Sequence, residues 1–577
     1  MPAFAEVQAE AKKRWDALTA GDRPWIRIST AICGEAAGAL ATVHAFQSAT
    51  EAKGIQATIS EVGCFGPCFA EPLVSVKTPG GPWVFYQRVT EDKVSRIIEQ
   101  HLVAGKPVPE LAFGYNPEEG VPIPQGIPNL WDHPMMKPQV RIAMRNAGVI
   151  DPTDIHQYVA RGGFEGLNRA LTALKPDQVV EEVTKSGLRG RGGAAFPTGT
   201  KWSFLSRARA PVKYLLCNCE EGDPGAFNDK TILESDPFSL LEGMVIGASA
   251  RGCTQGYVFI RYGHDGPIRR TWAAIDAMRA QGFLGKNIMG SGFNFDIEVA
   301  LTGDSYVAGE ETALMEAIEG KRAWPRFRPP FPANAGLFQK PSNINNVKTL
   351  SYVPEIIRRG GDWYAGIGVD RSKGTVIACF TGGVKYTGLA ELPLGLNLRK
   401  VVDEVAGGVT SRRRLKMLQT GGPLGGVISA DRIDITLDFD VMQRVGAMFG
   451  SGGIIVGDDT TCPIDLIRNL VAFCQFESCG KCFPCRTGMG QLLQVLDRIA
   501  TMQGRPGDLE LMQMVGTNMQ AGSLCGHGQL GFNPVSSGLR YFANEFDAHI
   551  SQKRCPSGAC YRSTVYPTRT RSYQGSA

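Results

Sequence analysis

The feature that most constrains this chain is a group of four cysteines in its C-terminal part. Cys479, Cys482 and Cys485 follow C-x2-C-x2-C spacing within Glu477–Arg486, and Cys525 lies further along the chain. Three thiolates on one short turn can bind three corners of a cubic iron–sulfur cluster, and a distant fourth can bind the last corner. Zinc also accepts four cysteines, but its structural sites more often combine two separated C-x2-C pairs. The spacing therefore predicts a [4Fe-4S] cluster, with zinc as the alternative.

The length and charge of the chain limit the class of protein. A chain of 577 residues is too long for one hydrophobic core and predicts roughly three to five domains. The formal charge is only +5, from 61 basic and 56 acidic residues. This balance indicates neither a nucleic-acid-binding surface nor a membrane-surface patch. We therefore expect a multidomain protein with no nucleic-acid partner.

The sequence also predicts the compartment. It contains no run of about eighteen apolar residues, so no membrane span is expected. Its first residues, MPAFAEVQAEAKKRW, lack the charged-then-apolar order of a secretory signal. Fifteen cysteines without such a signal indicate a reducing compartment, where thiols bind metals rather than form disulfides. We expect a cytoplasmic protein.

The first 113 residues have the pattern of a small α/β unit. Apolar residues on one face predict helices at Leu40–Lys53 and Val94–Val103. Short apolar runs bounded by turn residues predict strands, two of them forming a hairpin around Thr78–Gly81. The predicted strands are Trp25–Thr30, Gln56–Val62, Leu73–Val76 and Trp83–Tyr86.

Three cysteines of this unit follow predicted strands: Cys33 after the first, and Cys64 and Cys68 after a later one. The arrangement resembles the thioredoxin-like [2Fe-2S] domain of NADH dehydrogenases and related hydrogenases. That domain uses four cysteines, whereas no second cysteine follows Cys33 before Cys64. Either the three thiolates hold a [2Fe-2S] cluster with an unusual fourth ligand such as His44, or the fold is kept without a metal.

Composition divides the rest of the chain. Residues 107–138 hold eight prolines and few periodic apolar positions, which is typical of a stiff linker. We predict the following division of the chain: a thioredoxin-like domain at 1–113, a Pro-rich linker at 114–138, an α/β domain at 139–366, a smaller α/β domain at 367–461, a helical domain around the cluster cysteines at 462–550, and a tail at 551–577.

A glycine-rich loop, Gly187–Trp202, contains five glycines, two arginines and a lysine. Glycines without Cβ let backbone N–H groups close on a phosphate, and a following helix N-terminus adds positive potential. The loop is neither a dinucleotide-binding G-x-G-x-x-G nor a Walker loop. Taken alone it indicates either a phosphate site or a cluster of turns.

An acidic turn follows the predicted buried strand Tyr214–Cys217. Its polar side chains can read a flavin or base edge and accept hydrogen bonds from amides or ribose, because ligands lie at strand ends of open parallel sheets. The alternative is a solvated acidic turn. Further polar clusters lie at SYVAGEETALMEAIEG, RFRPPFP and SNINNVKTL. The polar residues of the acidic turn itself are Asn218, Glu220, Glu221 and Asp223.

These stretches, in this order and followed by ESCGKCFPCR and SLCG, resemble the flavin subunit of respiratory NADH dehydrogenase and its relatives. The relatives are diaphorase subunits of NAD-linked hydrogenases and NAD-dependent formate dehydrogenases. The resemblance covers roughly residues 140–550 and implies FMN, NAD(H) and a [4Fe-4S] cluster as cofactors. It also implies a Rossmann-like FMN- and NADH-binding domain at 139–366 and a ubiquitin-like SLBB module at 367–461, the latter used for spacing and docking.

The resemblance implies a role for each matching residue. The flavin contacts are Gly190, Arg191, Gly192, Gly193, Lys201, Asn218, Glu220 and Glu221, with Asp223 near the nicotinamide. The shared pocket is lined by Tyr306, Gly309, Glu310 and Glu311, and the flavin phosphate is held by Asn345, Asn346 and Thr349, with Ile344 as a further cofactor-binding residue. The adenine is sandwiched by Phe196 and Phe204, the outer dinucleotide contacts are Arg328 and Phe331, and the cluster ligands are Cys479, Cys482, Cys485 and Cys525.

Some positions depart from the respiratory pattern. The family has Asp where Glu220 stands, Glu where Asp223 stands, and Lys where Arg328 stands. These changes keep each charge, so we expect altered NADH affinity rather than lost activity. Cys555 and Cys560 match a motif that precedes a ferredoxin domain in larger relatives, and we interpret them as a remnant linker. The last residues, TRTRSYQGSA, are expected to be disordered.

The implied activity is exchange of a hydride between NAD(H) and FMN and of single electrons with the cluster. Carboxylates at Glu220, Glu221 and Glu311 are expected to lower the flavin potential. The resemblance implies a partner, a large subunit with iron–sulfur clusters and a molybdenum or tungsten pterin. The fused N-terminal domain and the missing ferredoxin domain favour formate dehydrogenase, with a hydrogenase or the respiratory enzyme as alternatives. A scaffold that has lost redox chemistry is the alternative from another class.

Overall fold

The computed structural model describes residues 3–410 and 412–561, and it has a mixed α/β architecture built from several sheets and a helical region. Among these residues, no helix combines the length and the apolar composition needed to cross a membrane. The predicted disordered end of the tail, TRTRSYQGSA, lies outside the described residues.

The N-terminal region is a five-stranded sheet flanked by helices, with strand order β2-β1-β3-β4-β5. Strand β1 lies near its centre because every residue of WIRIS is buried, and it pairs in parallel with β2 and antiparallel with β3. The elements are α1 (Phe4–Thr19), β1 (Trp25–Ser29), α2 (Ile32–Ala36), α3 (Ala39–Ala52), β2 (Thr58–Val62), β3 (Val74–Lys77), β4 (Trp83–Tyr86), α4 (Glu91–Ile97), which continues as a π-helical turn over Ile98–Val103, and β5 (Ala112–Asn116).

The predicted boundary at residue 113 falls inside this sheet. Strand β5 pairs antiparallel with β4, so the sheet extends to Asn116. The predicted linker 114–138 also contributes to the core, since Leu130, Met135 and Met136 are almost fully buried. The proline count obscured these apolar residues, and the prediction of an extended spacer is wrong for this segment.

The next region contains a second sheet surrounded by helices. Its elements before the third strand of that sheet are α5 (Ile155–Ala160), α6 (Glu165–Thr172), α7 (Pro176–Lys185), α8 (Thr198–Arg207), β6 (Tyr214–Cys219), α9 (Asn228–Ser235), α10 (Pro237–Arg251), β7 (Gln255–Arg261) and α11 (Asp265–Gln281). The remaining elements are β8 (Asp296–Thr302), a 3-10 turn at Tyr306–Gly309, α12 (Glu311–Ile318), β9 (Ser342–Asn346), α13 (Val347–Ser351), α14 (Val353–Arg359) and α15 (Gly361–Ala365).

All strands of this second sheet run parallel, in the order β8-β7-β6-β9. The chain moves outward from β6 to β8 and then returns to the other side of β6 with β9. The order therefore reverses between β6 and β9, and a crevice for ligands opens at such a point beyond the carboxyl ends of the strands. Helix α10 is buried on nearly all sides because its sequence is apolar around most of its circumference.

The third region is a mixed five-stranded sheet, ordered β13-β12-β16-β14-β15, preceded by a short hairpin. Strands β12 and β16 are parallel, and the other pairs of the sheet are antiparallel. The elements are β10 (Gly368–Val369), β11 (Ser372–Lys373), β12 (Thr375–Gly382), β13 (Gly388–Pro393), α16 (Leu398–Lys400) with a π-helical turn at Val401–Val405, β14 (Leu415–Thr420), β15 (Val427–Ser429), α17 (Phe439–Arg444) and β16 (Gly453–Asp458). The ubiquitin-like and SLBB assignments stay predictions.

A buried carboxylate joins this sheet to the second region of the chain. Glu391 of β13 is fully buried and accepts hydrogen bonds from the backbone N–H groups of Ile142 at 2.9 Å and Met144 at 2.8 Å. It also accepts one from the Thr375 hydroxyl at 2.5 Å. Several donors around one buried carboxylate satisfy it, so this contact fixes the third region against the second.

The last region is helical and has its own apolar core. Its helices are α18 (Pro463–Phe476), α19 (Phe483–Ala500), α20 (Asp508–Gly522), α21 (Gly526–Leu530), α22 (Asn533–Tyr541) and α23 (Ala543–Ile550). A 3-10 turn at Ala559–Tyr561 follows.

Candidate functional site

Two asparagines stand at the point where the strand order reverses. In the pairing of β6 with β9, Asn218 lies opposite Asn346, so the two residues are side by side at the carboxyl ends of these strands. The Asn218 side chain donates to the Gly309 carbonyl at 2.8 Å. The sheet therefore brings together residues from three of the predicted stretches at one crevice.

The glycine-rich loop closes over this crevice. A Cβ on Gly192 would lie 2.9 Å from the Cβ of Asn346, so only glycine allows the loop to approach β9 this closely. Gly193 has φ of +127°, a conformation that favours glycine. The loop leads directly into helix α8, whose N-terminus contributes positive potential. A planar ligand with a phosphate fits this combination of open backbone and helix end.

The Arg191 side chain does not face the crevice. It is buried, and its guanidinium donates to the carbonyls of Thr375 at 3.0 Å and Lys373 at 2.6 Å. Its backbone N–H donates to the Thr349 hydroxyl at 2.8 Å, which holds the loop on helix α13. The structure thus gives Arg191 and Thr349 a part in shaping the loop, and leaves the guanidinium no access to a phosphate.

A buried ion pair holds Asn346 in place. The Asp229 carboxylate accepts from the Asn346 amide at 2.6 Å and pairs with Lys348 Nζ at 2.9 Å. Lys348 also donates to the Asn228 side chain at 2.5 Å. Burial raises the pKa of Asp229 to about 6, against the opposing charge of Lys348. The neighbouring predicted residues Ile344 and Asn345 are buried in β9, where Asn345 donates to Asn343 at 2.6 Å.

The acidic turn is far from a solvated surface. Glu220 is nearly fully buried and pairs with Arg261 at 2.8 Å, and burial raises its pKa to about 8. Glu221 accepts from the backbone N–H groups of Asp229 at 2.8 Å and Lys230 at 2.9 Å, so it caps helix α9. The alternative of a solvated turn is therefore wrong.

Asp223 lies between the flavin side of the crevice and the helical region. Its carboxylate accepts from the hydroxyls of Tyr306 and Ser451, each at 2.6 Å. Burial raises the pKa of Asp223, and the two hydroxyl donors oppose that shift. The aspartate thus fixes the Tyr306 ring, which burial keeps protonated by raising its pKa well above the ordinary value.

Two cations surround the predicted pocket glutamates. Glu311 lies 3.0 Å from Lys201 and 3.0 Å from Arg328, while Glu310 lies 2.5 Å from Arg328 and caps helix α12. Burial alone raises the pKa of Glu311, but Lys201 and Arg328 outweigh it and the net shift is downward. The expected excess of negative charge beside the flavin is thus reduced, because Glu311 is compensated by cations, Glu220 by Arg261, and Glu221 by backbone donors.

Three of the predicted aromatic contacts are exposed at the rim of the crevice. Phe196 and Phe204 are each 47% exposed and Phe331 is 55% exposed. The rings of Phe196 and Phe204 lie 6.5 Å apart at an angle of 45°, so they do not stack on each other. Exposed aromatic faces at this position suit a flat heterocycle such as adenine.

The cluster cysteines surround one compact pocket, which Val307 and Pro325 also line. Cys485 lies in the first turn of helix α19, after the Cys479–Cys482 loop, and Cys525 directly precedes α21. Burial raises the pKa of Cys485 to about 12 and that of Cys525 to about 11, so these thiols lose their protons only when a metal replaces them. Four thiols around a compact pocket are the donor set of a [4Fe-4S] cluster.

The flavin crevice and the cluster pocket share a wall. Tyr306, held by Asp223 on one side, donates its backbone N–H to Glu477 at 2.9 Å on the other. The Tyr306 ring also meets the ring of His527, which lines the cluster pocket, at 5.7 Å between centroids. Trp324 Nε1 donates to the Cys479 carbonyl at 3.1 Å. One layer of side chains therefore separates the two sites.

Comparison with known proteins agrees with this geometry. The family described as Nuo51 FMN-binding domain matches residues 183–355, and the family described as NADH-ubiquinone oxidoreductase-F iron-sulfur binding region matches residues 465–549. The NADH-quinone oxidoreductase F 2 protein of Rhizobium meliloti is 44% identical over 415 residues, which are 72% of this chain and 99% of that protein. This chain belongs to the family of NADH dehydrogenase flavin subunits.

Other members extend the likeness. The NADP-reducing hydrogenase subunit HndC of Solidesulfovibrio fructosivorans is 44% identical over 430 residues, covering 74% of this flavin subunit and 87% of HndC. A solved NAD+-reducing [NiFe]-hydrogenase chain superposes with a TM-score of 0.63 at 26% identity, covering 95% of this chain and 88% of that one. The resemblance found in the sequence is confirmed, and so are the FMN-binding domain and the [4Fe-4S] region.

The N-terminal region of this flavin subunit gathers its three cysteines. Their sulfurs all lie within 4.8 Å of one another, with Cys64 and Cys68 3.7 Å apart. The suggested fourth ligand His44 is wrong, because it is exposed on α3 and outside this group. The buried carboxylate of Glu71 instead lies 3.7 Å from the Cys33 sulfur. This set is compatible with a [2Fe-2S] cluster.

Sequence reasoning missed one group of potential ligands. Cys555 and Cys560, interpreted as a remnant linker, lie together with Cys462 and His549, and the four ligand atoms are all within 4.8 Å of one another. The remnant-linker interpretation is therefore wrong. The C-x4-C spacing of Cys555 and Cys560 was a signal, but nothing in the sequence indicates the contribution of Cys462, which lies almost a hundred residues away.

Proposed function

We propose that this flavin subunit is the NADH:acceptor diaphorase of an NAD-dependent formate dehydrogenase, which converts formate and NAD⁺ to CO₂ and NADH. The observation that carries the diaphorase function is the shared wall at Tyr306. Its hydroxyl is bonded to Asp223 in the flavin crevice and its backbone to Glu477 at the start of the cluster loop. Such a short separation suits electron transfer between the two sites.

Bound FMN supplies the conversion between a two-electron hydride and single electrons. The chain supplies binding and orientation. The glycine-rich loop and Asn346 receive the flavin and its phosphate, and exposed Phe196 and Phe204 receive the adenine of NADH. By holding the nicotinamide of NADH against the flavin, the chain would convert a bimolecular step into a nearly unimolecular one, and no acid or base from the protein would be required.

The positions of the charged side chains support binding of the dinucleotide at this crevice. Arg328 and Lys201 flank Glu311 at the crevice, and Arg328 is partly exposed. A cation at this position attracts the pyrophosphate of the dinucleotide, while the paired glutamates limit the net charge. Tyr306 and Phe473, whose rings lie 5.4 Å apart, exclude water between the crevice and the cluster.

We infer that the partner is a large catalytic subunit with iron–sulfur clusters and a molybdenum or tungsten pterin. The N-terminal region fused to the flavin region supports a soluble dehydrogenase over the respiratory complex. The second candidate is a hydrogenase diaphorase. It is favoured by the superposition on the NAD+-reducing [NiFe]-hydrogenase chain, which covers 95% of this chain and so includes the N-terminal region. We place the protein in the cytoplasm on its cysteine content.

Anaerobic purification of the whole complex from its natural source tests both the diaphorase function and the formate assignment. Addition of NADH is expected to bleach the flavin absorbance near 450 nm (roughly the position for free flavin), and a colourless protein refutes the diaphorase function. Formate is expected to reduce NAD⁺, with molybdenum or tungsten in the complex. Reduction by hydrogen but not formate, with nickel in the complex, refutes the formate assignment and leaves the diaphorase intact.

A further inference from the structure

Three thiols and one imidazole meet at the edge of the helical region, away from the cluster cysteines. Cys462 directly precedes helix α18, and His549 lies in the last turn of α23. Cys555 and Cys560 belong to the segment that follows α23. The possible ligand atoms of all four residues lie within 4.8 Å of one another. This convergence joins parts of the chain that are 98 residues apart.

The separations are close to the edges of a tetrahedral zinc site, with the sulfur–sulfur separation of Cys462 and Cys560 the shorter. His549 Nε2 lies 3.5 Å from Cys462 Sγ and 3.4 Å from Cys560 Sγ, and these two sulfurs are 3.4 Å apart. With Zn–S near 2.3 Å and Zn–N near 2.0 Å, a tetrahedron has edges of about 3.8 Å between sulfurs and about 3.5 Å between sulfur and nitrogen. A [4Fe-4S] cluster binds each of its cysteines on a different iron and therefore needs a wider spacing.

The histidine is already oriented as a metal ligand. His549 Nδ1 lies 2.7 Å from the Glu545 backbone carbonyl. Because a carbonyl only accepts, Nδ1 carries the proton, and the lone pair of Nε2 faces the thiols. Metal-binding histidines commonly have such a carbonyl partner on the other ring nitrogen. The site is also shielded, since His549 is fully buried and Cys462 is 2% exposed.

We propose that Cys462, His549, Cys555 and Cys560 bind one zinc ion, in addition to the [4Fe-4S] cluster of this chain. Zinc replaces the three thiol protons, which pass to solvent, and three thiolates with Zn²⁺ leave one net negative charge. Lys416 lies close by with a positive charge, since its Nζ is 2.9 Å from the Thr461 carbonyl and 2.6 Å from the Glu545 carboxylate.

The ion has a structural role in this arrangement. It ties the segment after α23 to the N-terminal end of α18, and the C-terminal end of α18 leads into the cluster loop at Glu477. A helix of 14 residues is about 21 Å long, so the zinc stands well apart from the iron–sulfur cluster. Its binding fixes the start of the helix that positions that loop.

Metal analysis of the full-length chain, carrying FMN and cluster and produced with zinc in the medium, tests the proposal. We expect one zinc per chain. Cys462→Ser and Cys560→Ser are expected to lower the zinc content about tenfold or more while the iron content stays unchanged. Ser551→Ala, an exposed change in the same segment, is the matched control and keeps the zinc.

X-ray absorption at the zinc edge of the unmodified chain provides a readout that needs no variant. We expect three sulfur ligands and one nitrogen ligand, at about 2.3 Å and about 2.0 Å. Absence of zinc in the unmodified chain, a mononuclear iron in its place, a disulfide between Cys462 and Cys560 found by mass spectrometry, or zinc retained in both variants would each overturn the proposal.

Discussion

Replacement of Lys348 by methionine tests how the flavin crevice is held together. The Lys348 ammonium is almost fully buried and contacts Asp229 at 2.9 Å and the Ser451 carbonyl at 3.2 Å. In Lys348→Met, Asp229 stays buried near Glu221 without its cation. Removing one partner of a buried pair costs about 3–5 kcal/mol, and the lower end applies here because Asp229 can take up a proton.

The pH dependence follows from Asp229. Burial raises its pKa from 3.8 to about 6 in the folded chain. A carboxyl with a raised folded pKa contributes stability that is present below pH 3.8 and is lost as the pH rises through 6. Without Lys348 the folded pKa rises further, so the loss continues above pH 6. The added deficit is about 1 kcal/mol at pH 7 and about 3 kcal/mol at pH 8.

The remaining cost does not depend on pH. It comes from the Asn228 side-chain oxygen, which loses its donor, and from the Ser451 carbonyl, which keeps only its bond from the Asn228 amide. The cost is about 1–3 kcal/mol. At pH 7 the total is then about 3 kcal/mol, which lowers the midpoint of thermal unfolding by roughly 6–12 °C for a unit of this size. Because the chain has several domains, unfolding is best followed by release of flavin fluorescence, which reports on this region alone.

Two further variants sharpen the experiment. The exposed Lys340→Met is the matched control and is expected to leave the midpoint within about 1 °C of the unmodified chain. The double variant Lys348→Met/Asp229→Asn removes the buried charge and is expected to lose the pH-dependent part of the deficit. A deficit of the same size at pH 6 and pH 8, or one no larger than in Lys340→Met, would refute the reasoning.

Three other predictions follow from the site. Gly192→Ala places a methyl group 2.9 Å from Asn346 Cβ and is expected to lower the FMN content of the purified chain several-fold. The control is Gly303→Ala, which keeps the FMN because a Cβ there meets open space. Equal FMN contents in the two variants would contradict the close approach of the loop to Asn346. Cys525→Ser is expected to lower the iron content and the rate of electron transfer to a one-electron acceptor at least about tenfold, while NADH still bleaches the flavin. The control is Cys253→Ser, a change at a buried cysteine elsewhere in the chain. An unchanged iron content in Cys525→Ser would place the cluster elsewhere. Glu220→Gln is expected to flatten the fall in the midpoint of thermal unfolding between pH 5 and pH 8. The reason is that burial raises the pKa of Glu220 from 4.5 to about 8, so its contribution to stability is lost as the pH rises through that value. An unchanged slope would show that another group titrates.

Local patterns in the sequence were sufficient to predict the structure where a few neighbouring residues determine it. The C-x2-C-x2-C turn, the glycine-rich loop and the short strands each depend on spacing within one stretch. The structure adds the order of the strands, with its reversal between β6 and β9, which brings Asn218 and Asn346 together. The identities of these residues were visible in the sequence, but the reason for their proximity was not.

Side-chain direction could not be predicted in the same way. Arg191 belongs to a loop that suits phosphate binding, yet its guanidinium points into the protein toward the carbonyls of Thr375 and Lys373. Glu221 sits in an acidic turn, yet it caps a helix. Both outcomes depend on partners far along the chain, or on a helix start, and residue type alone does not reveal them.

Proline counting gave a wrong prediction for a physical reason. Proline restricts the backbone but does not prevent neighbouring apolar side chains from packing, and Leu130, Met135 and Met136 do so. The cysteines after α23 were misread for a similar reason, because their partner Cys462 becomes a neighbour only after the helical region has folded. Long-range contacts therefore account for most of what sequence reasoning missed.

The two ends of helix α18 show how the chain separates its structural and redox functions. Its C-terminal end leads to Glu477, which bonds the Tyr306 backbone and so connects the cluster loop to the flavin crevice. Its N-terminal end begins at Cys462, within the three-thiol group. Because a helix transmits displacement along its axis, movement at the Cys462 end would shift the loop against Tyr306. With the proposed zinc bound at the Cys462 end, that anchoring would preserve the contact between Glu477 and Tyr306 at the other end, where the crevice and the cysteine pocket meet.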